Sequence, residues 1–348
     1  MKVIRRAVLC VVMPLALIVA AGYGWYMWSD TGKGWRYEDK LATYCDGLIP
    51  YNESAVFTDL STETGLSRDE QNGFGDDRFN VCWVADMRMT IALIPNNAVN
   101  SSTAFTVFNM LHEDSTDTLP MALGGGWHGY TDMRNTAVVL SCDNKPASLV
   151  VSIAGDESHD NRREARAMGE LAAGTARKAA DRWSCKAEQG GRIPTVPAPA
   201  EQSVRDAPVG TCKGVPIRGN DEIHWIEETK ATGTAPLDNC VLGETKARSE
   251  PLYWLEAAFG PYAQRLRTAT DEPDGLNGNA GIDRDRAWAT AACPGTAREI
   301  FYISATEYAY PRKGFLLASL RAFAERSAEQ HGCTGLRLPG VERDSEPS

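Results

Sequence analysis

The hydrophobic pattern begins with an uninterrupted apolar segment. Residues 7–28 carry no charge and follow Lys2, Arg5 and Arg6. At ~1.5 Å rise per residue, a helix of this length would cross a ~30 Å hydrocarbon layer. Aromatic residues crowd its far end, where amphipathic rings prefer the membrane boundary. The pattern predicts a transmembrane helix within residues 1–30, with the positive flank inside and the bulk of the chain outside.

A cleaved signal peptide is the alternative interpretation of the same segment. Val19, Ala20 and Ala21 form an acceptable small-residue cleavage site, and cleavage near Ala21 would release a secreted protein. The apolar stretch continues past this site into the aromatic residues, which favours an uncleaved anchor. We therefore expect a single-pass protein of the cell membrane, with secretion as the alternative.

Beyond the anchor, short apolar runs typical of strands precede a long segment with helical spacing, and this order occurs twice. The first occurrence predicts strands over 79–86, 89–95, 137–142 and 148–154 and a helix over 162–183. The second predicts strands over 288–293 and 299–305, helices over 251–267 and 310–331. The expected class is α+β: two similar domains, each an antiparallel sheet with a long C-terminal helix packed on it.

The composition places a boundary between the two domains. Residues 189–208 are rich in proline and glycine, which favours an extended and poorly packed linker. The first extracytoplasmic domain is then 36–188 and the second is 209–338. Residues 339–348 are polar and acidic, and this composition predicts a frayed tail.

The cysteines support export and an internal duplication. Cys10 lies in the apolar segment, and eight cysteines remain, an even number that in an exported chain indicates disulfides. A Cys-x-Gly motif opens each half, at Cys45 and at Cys212. Four cysteines permit three pairings per domain; pairing chain ends with each other and strands with each other favours Cys45–Cys185, Cys82–Cys142, Cys212–Cys333 and Cys240–Cys293.

Charge and motifs exclude several classes of function. The net charge of −10 and the isoelectric point near 5.1 disfavour nucleic-acid binding, because phosphate contacts need clustered lysine and arginine. The histidines are scattered without metal-ligand spacing, and the common hydrolase and nucleotide motifs are absent. The sequence therefore predicts no catalytic residue, no cofactor and no metal site.

One glycine-rich loop is a candidate for ligand contact. Residues 124–129 contain four glycines around Trp127 and His128, and Asp132 follows. Such a loop can form a lip that stacks on a ligand ring or sugar. The plainer interpretation, which we favour, is a turn that leads into a strand, with Trp127 covering the core.

The basic N-terminus, the single anchor and the cysteine-bounded halves resemble those of uncharacterised secreted or membrane-anchored actinobacterial proteins. The resemblance implies a location and no activity, so the function is unknown from sequence. The leading hypothesis is a membrane-anchored extracytoplasmic binding or interaction module, held through residues 7–28 and contacting an envelope protein or a small ligand. The alternatives are an envelope hydrolase with its site near the Trp-His loop and a structural accessory subunit.

Overall fold

The computed structural model describes most of the chain from Met13 onward. The described residues are 13–96, 106–108, 118–155, 161–198, 200, 203–204, 208–218, 220–244, 250–268, 276, 278–294 and 299–340. The helices are α1 (Met13–Trp28), α2 (Asp30–Leu41), α3 (Tyr51–Thr58), α4 (Arg162–Arg182), α5 (Pro261–Thr268) and α6 (Lys313–Gln330). The predicted tail beyond residue 340 and Cys10 lie outside this description.

The strands form two antiparallel sheets, one in each half. Sheet A contains β1 (Asp69–Phe74), β2 (Asp77–Val84), β3 (Met87–Pro95), β4 (Met121–Ala122), β5 (Gly129–Thr131), β6 (Asn135–Ser141) and β7 (Ala147–Ala154). Sheet B contains β8 (Ser203–Val204), β9 (Trp225–Glu228), β10 (Leu237–Gly243), β11 (Pro251–Ala258), β12 (Ala280–Ile282), β13 (Arg286–Ala292), β14 (Glu299–Ala305) and β15 (Thr334–Arg337). The predicted α+β class with two antiparallel sheets is confirmed.

The two sheets share one strand order. Sheet A runs β1-β2-β3-β7-β6-β5-β4, and sheet B runs β9-β10-β11-β14-β13-β12, with β8 beside β9 and β15 paired to β13. In both sheets the last two long strands form a hairpin that inserts beside the third strand. The terminal helix follows this hairpin directly in each half, as the sequence pattern predicts.

Each long helix covers the outer face of its own sheet. Ala172, Ala176 and Ala179 of α4 are buried against sheet A, and their small side chains allow a close approach. The N-terminus of α4 is capped by Asn161, whose side chain accepts a hydrogen bond from Arg163 N at 2.9 Å. In the second half, Leu320 of α6 packs on sheet B in the same way.

The inner faces of the two sheets pack against each other. Side chains alternate along a strand, so Phe79 and Val81 of β2 face sheet B, while Cys82 lies on the opposite face, where it is bonded to Cys45. The facing surface of sheet B includes Ala258 and Ile300, both fully buried. The molecule is therefore a four-layer arrangement in the order helix, sheet, sheet, helix.

Polar groups accompany this apolar contact. The rings of Tyr130 and Tyr262 meet edge to face, with centroids 5.6 Å apart. The Gln264 side chain donates to Asn96 O across the boundary at 3.2 Å. Burial raises the pKa of Glu256, and the nearby charge of Arg265 offsets part of this change. The interface between the halves thus combines an apolar centre with buried polar side chains.

The predicted helix over 251–267 is wrong in its first half. Residues 251–258 form β11, and only Pro261–Thr268 is helical. Both faces of β11 are covered, one by α6 and the other by the neighbouring half, so apolar residues occupy both sides of the strand. Their spacing imitates a helical period because a strand buried on both faces loses its alternation.

Two apolar side chains of the proline-rich segment pack on the first half. Ile193 and Val196 are buried, and Ile193 belongs to the core of the first half. Gly191 N donates to Gly125 O at 2.8 Å, which ties this segment to the glycine-rich loop. Ile193 and Val196 thus anchor this segment on the first half, while most of residues 189–196 are exposed and outside helices and strands, as the composition predicts.

The predicted disulfide pairing is also wrong. The observed bonds are local: Cys45–Cys82, Cys142–Cys185, Cys212–Cys240 and Cys293–Cys333. In each half, the entry turn, which holds Cys45 or Cys212, lies beside the second strand of the sheet. The cysteine that follows the terminal helix, Cys185 or Cys333, lies beside the end of the first strand of the hairpin, at Cys142 or Cys293. Pairing chain ends with each other fails because the two ends of a half lie at different strands.

The same local structure surrounds the equivalent bonds. Asp69 pairs in register with Cys82, and its carboxylate accepts from Cys45 N at 2.8 Å. Glu228 pairs in register with Cys240, and its carboxylate accepts from Cys212 N at 3.0 Å. An acidic side chain thus fixes the entry turn of each half beside its disulfide.

At the N-terminus, α1 carries exposed apolar and aromatic side chains and buries none. It turns into α2 at Ser29, whose side chain accepts from Gly32 N at 3.0 Å. Helix α2 therefore spans the region between the predicted anchor, residues 1–30, and the predicted first domain, which begins at residue 36. Among the described residues, which begin at Met13, no helix is both long and apolar enough to cross a membrane.

Non-reducing peptide mapping is expected to recover the four local pairs. The loops they close span 28 to 43 residues, for which the chain-entropy model assigns roughly 4 kcal/mol of stability per bond. Replacing Cys45 and Cys82 together by serine should therefore lower the free energy of unfolding by about this amount. A peptide that links Cys45 to Cys185 would contradict the fold described above.

The substitution Glu256→Gln is expected to stabilise the protein at neutral pH. Folding raises the pKa of this carboxyl, so the protonated side chain contributes its full stability to the folded state only below the unfolded pKa of ~4.3. That stability is lost as the pH rises through the pKa of the folded state. Urea denaturation should show a gain on the order of 1 kcal/mol at pH 7 and little change near pH 4. Glu63→Gln, on an exposed loop, is the matched control and should change neither value.

Candidate functional site

A cleft of about 270 Å³ lies where the two halves meet. The first half contributes the start of β5, the end of β6 and the segment after α4. The second half contributes the β11–α5 junction and the end of α6. Val139 belongs both to the cleft wall and to the apolar contact between the sheets, so the cleft is the margin of that contact.

His128 stands on the first wall of the cleft. Its main-chain oxygen accepts from Val139 N at 2.8 Å, which fixes the residue at the head of β5. Burial in the cleft lowers the pKa of His128, and His331 across the cleft lowers it further, while Glu188 acts in the opposite direction. The ring nitrogens form no hydrogen bond within the described part of the chain. A mostly neutral imidazole is therefore available to a ligand at neutral pH.

Two exposed carboxylates stand on the rim on the same side. Asp143 follows β6, and its main-chain N–H donates to Lys186 O at 2.6 Å. Glu188 lies three residues after the Cys142–Cys185 bond, which holds this segment against the end of β6. Among the described residues neither carboxylate forms an ion pair. Both therefore keep their acceptor capacity for solvent or a ligand.

The third carboxylate of the cleft has a structural partner. Glu299 opens β14 and is fully buried, and its Oε2 accepts from Gly260 N at 2.6 Å. Gly260 directly precedes α5, so the carboxylate complements the free N–H groups at that helix start. This contact orients the β11–α5 junction, where Phe259 supplies the apolar surface of the second wall.

His331 is held firmly on the second wall. Its ring stacks on Phe259 with centroids 3.7 Å apart, and its nitrogens lie 2.9 Å from Ser327 O and 3.1 Å from Ala235 O. Main-chain oxygens therefore already engage both ring nitrogens. His331 presents a positioned ring to the cleft and no free donor.

A serine, a histidine and an aspartate lie together here without forming a catalytic triad. Ser327 is fully buried, and its hydroxyl donates to Asp238 Oδ2 at 2.7 Å. Asp238 Oδ2 lies 3.9 Å from His331 Nδ1. A nucleophilic serine must be bonded to the base and accessible to a substrate, and Ser327 is neither. This group ties α6 to β10.

Trp127 serves the core and is not available to a ligand. Its side chain is about 1% exposed, and Nε1 donates to Gly191 O at 2.7 Å. The Arg177 guanidinium lies over the ring at 4.9 Å. A Cβ added at Gly190 would lie 2.5 Å from this ring, so glycine is required there. The plainer interpretation of the loop, a turn with Trp127 covering the core, matches this geometry.

Asp132 is likewise occupied by the turn between β5 and β6. Its Oδ1 accepts from Arg134 N at 3.0 Å and from Asn135 N at 2.5 Å, while Oδ2 accepts from the Asn135 side chain. Asp132 therefore shapes a hairpin. Of the three residues named from the sequence, only His128 lines the cleft.

The second wall could not be found from the sequence pattern. Phe259 and His331 are distant from His128 in the chain, and docking of the two halves brings them together. The local sequence around each residue indicates only secondary structure, because Phe259 follows a strand and His331 ends a helix. Within the described chain no group of three histidine, cysteine or acidic side chains is placed to hold a metal ion.

NMR titration of the His128 ring is expected to report the charges across the cleft. His331→Gln should raise the pKa of His128, because it removes a nearby positive charge from the opposite wall. Glu188→Gln should lower it further, because it removes the carboxylate that favours the charged ring. His224→Gln, outside the cleft, is the control. Equal titration curves for all variants would contradict the described closeness of the two walls.

Comparisons with known proteins give no relative from which an activity can be carried over. No family model matches the chain, and no curated protein or solved structure matches it. The disulfides and the cleft are therefore the features on which a function can be based.

Proposed function

We propose that the chain is a membrane-anchored extracytoplasmic binding module whose ligand site is the cleft between its halves. The observation that carries this proposal is that each half contributes one wall of the cleft. His128 and Glu188 come from the first half, and Phe259 and His331 come from the second. Side chains with unused hydrogen-bonding capacity face an aromatic surface, the usual composition of small-ligand sites.

The location is supported by two features. The four disulfides indicate an oxidising compartment, and the protein is therefore extracytoplasmic or secreted. We further propose that residues 7–28 anchor it, since α1 exposes its apolar side chains and buries none against either half. Recovery of a peptide starting at Met1 from membrane-purified protein supports the anchor, whereas an N-terminus just after Ala21 overturns it.

A binding role is favoured over hydrolysis by the state of the polar groups. Ser141 is the one hydroxyl side chain among the described cleft residues, and it forms no hydrogen bond to His128. An activated nucleophile needs such a contact with its base. Trp127 and Asp132, on which the hydrolase hypothesis relied, have structural roles elsewhere.

The proposal predicts that filling the cleft abolishes ligand binding. Ser141→Trp places a large ring at the end of β6, while Val56→Trp places the same ring on the exposed surface of α3. A panel of small cations, anions and neutral aromatic compounds is screened by ligand-observed NMR against the full chain in detergent. At least one class should bind the wild type and Val56→Trp and lose more than about tenfold in affinity with Ser141→Trp.

Two outcomes would overturn the cleft as the binding site. The first is that no compound of the panel binds to the wild type. The second is that bound compounds keep their affinity in Ser141→Trp, which would place their site elsewhere. Circular dichroism of both tryptophan variants shows whether each has kept its fold.

A further inference from the structure

The charges that line the cleft are unbalanced. Its described lining holds three carboxylates, those of Asp143, Glu188 and Glu299, which outnumber the one positive charge that acts on His128, that of His331. The lining includes neither lysine nor arginine. Glu299 is occupied by Gly260 N, but the two rim carboxylates have no cationic partner in the described chain. The lowered pKa of His128 leaves that ring mostly neutral at pH 7. The cleft therefore presents net negative charge to whatever enters it.

Aromatic and aliphatic side chains form another part of the lining. Phe259 is held by its stack on His331, and Val139 and Pro294 add aliphatic surface. The volume of about 270 Å³ is slightly below the ~300–1,000 Å³ typical of small-ligand sites. A compound with one charged group and a single ring or a short chain matches this size, whereas a folded partner does not.

We propose that the cleft binds a small organic ammonium ion. The inference rests on the proposed binding function and names the class of its ligand. The ammonium group lies between the carboxylates of Asp143 and Glu188, and the apolar part of the ligand lies against Phe259. His128, with one donor and one acceptor nitrogen, serves a further polar group of the ligand.

The solvent exposure of the two rim carboxylates determines how strongly the cleft prefers a cation over a neutral ligand. Opposite charges in contact attract weakly in bulk water and more strongly at a protein surface, where water is partly excluded. Two rim carboxylates therefore favour a cation over a neutral compound of the same shape by about tenfold or more. Because both carboxylates are exposed, this preference should weaken as the ionic strength rises.

Three probes of matched shape test the proposal by isothermal titration calorimetry on the full chain in neutral detergent. They are 3-phenylpropylammonium, 3-phenylpropanol and 3-phenylpropionate. The ammonium compound is expected to bind at least about tenfold more tightly than the alcohol, and the carboxylate more weakly than either. Raising the salt concentration should reduce the affinity for the ammonium compound and leave that for the alcohol unchanged.

Variants without the rim carboxylates test whether Asp143 and Glu188 cause the preference for the ammonium compound. Glu188→Gln with Asp143→Asn should lower the affinity for the ammonium compound about tenfold and leave that for the alcohol unchanged, because only the charge is removed. Glu63→Gln removes one exposed carboxylate outside the cleft and should have no effect. Neither substitution changes a buried residue, so the fold is retained.

The outcomes separate this inference from the binding function itself. Equal affinity for the ammonium compound and the alcohol, or tighter binding of the carboxylate, overturns the cation proposal while the cleft remains a binding site. An ammonium compound that binds equally to the double variant also overturns it. Binding only when the ammonium is displayed on a lysine peptide overturns the small-molecule assignment. Failure of all three probes in the millimolar range overturns the cation proposal, whereas the binding function is overturned only when no compound of the broader panel binds.

Discussion

The face-to-face contact of the two sheets is the interaction on which the rest of the structure depends. Each sheet has an outer face covered by its own helix and an inner face that would otherwise be exposed to water. Phe79 and Val81 of sheet A and Ala258 and Ile300 of sheet B are buried only because the halves meet. Apolar surface stabilises by ~25 cal/mol per Å² removed from water, so a separated half would expose a large apolar patch. This contact also explains why β11 is buried on both faces.

The described disulfide bonds lie within the halves, and none of them crosses the contact between the two sheets. The four described disulfides join residues of the same half, and each half repeats the same two positions. One bond ties the entry turn to the second strand beside an acidic side chain, Asp69 or Glu228. The other ties the end of the terminal helix to the hairpin. Such bonds stabilise each sheet with its helix as a unit, whereas noncovalent packing alone sets the distance between units and hence the width of the cleft.

Local patterns along the chain predicted the parts of the fold that local forces determine. The hairpin strands and the terminal helices were identified because their apolar spacing is regular over many residues. The helix predicted over 251–267 failed because burial of β11 on both faces is a tertiary effect. The disulfide pairing failed because it was inferred from positions in the chain and not from strand neighbours. In the site, His128 was found from its glycine-rich loop, but Phe259 and His331 reach it only through docking of the halves.

The equivalence of the halves shows why one cleft of this composition forms. Trp183 and His331 occupy the same place, because each is the C-cap of its helix and its main-chain N–H donates to carbonyl groups of the last turn. Each is followed by a residue in the left-handed region, Ser184 or Gly332. Trp183 is buried within the first half, whereas His331 stacks on Phe259 and faces His128. A ligand between those walls contacts both halves, and it adds to the packing energy only when the halves are docked. By mass action, a ligand at a hundredfold excess over its Kd would stabilise the docked form by ~2.7 kcal/mol. A ligand of the cleft and the noncovalent contact between the sheets would therefore stabilise each other.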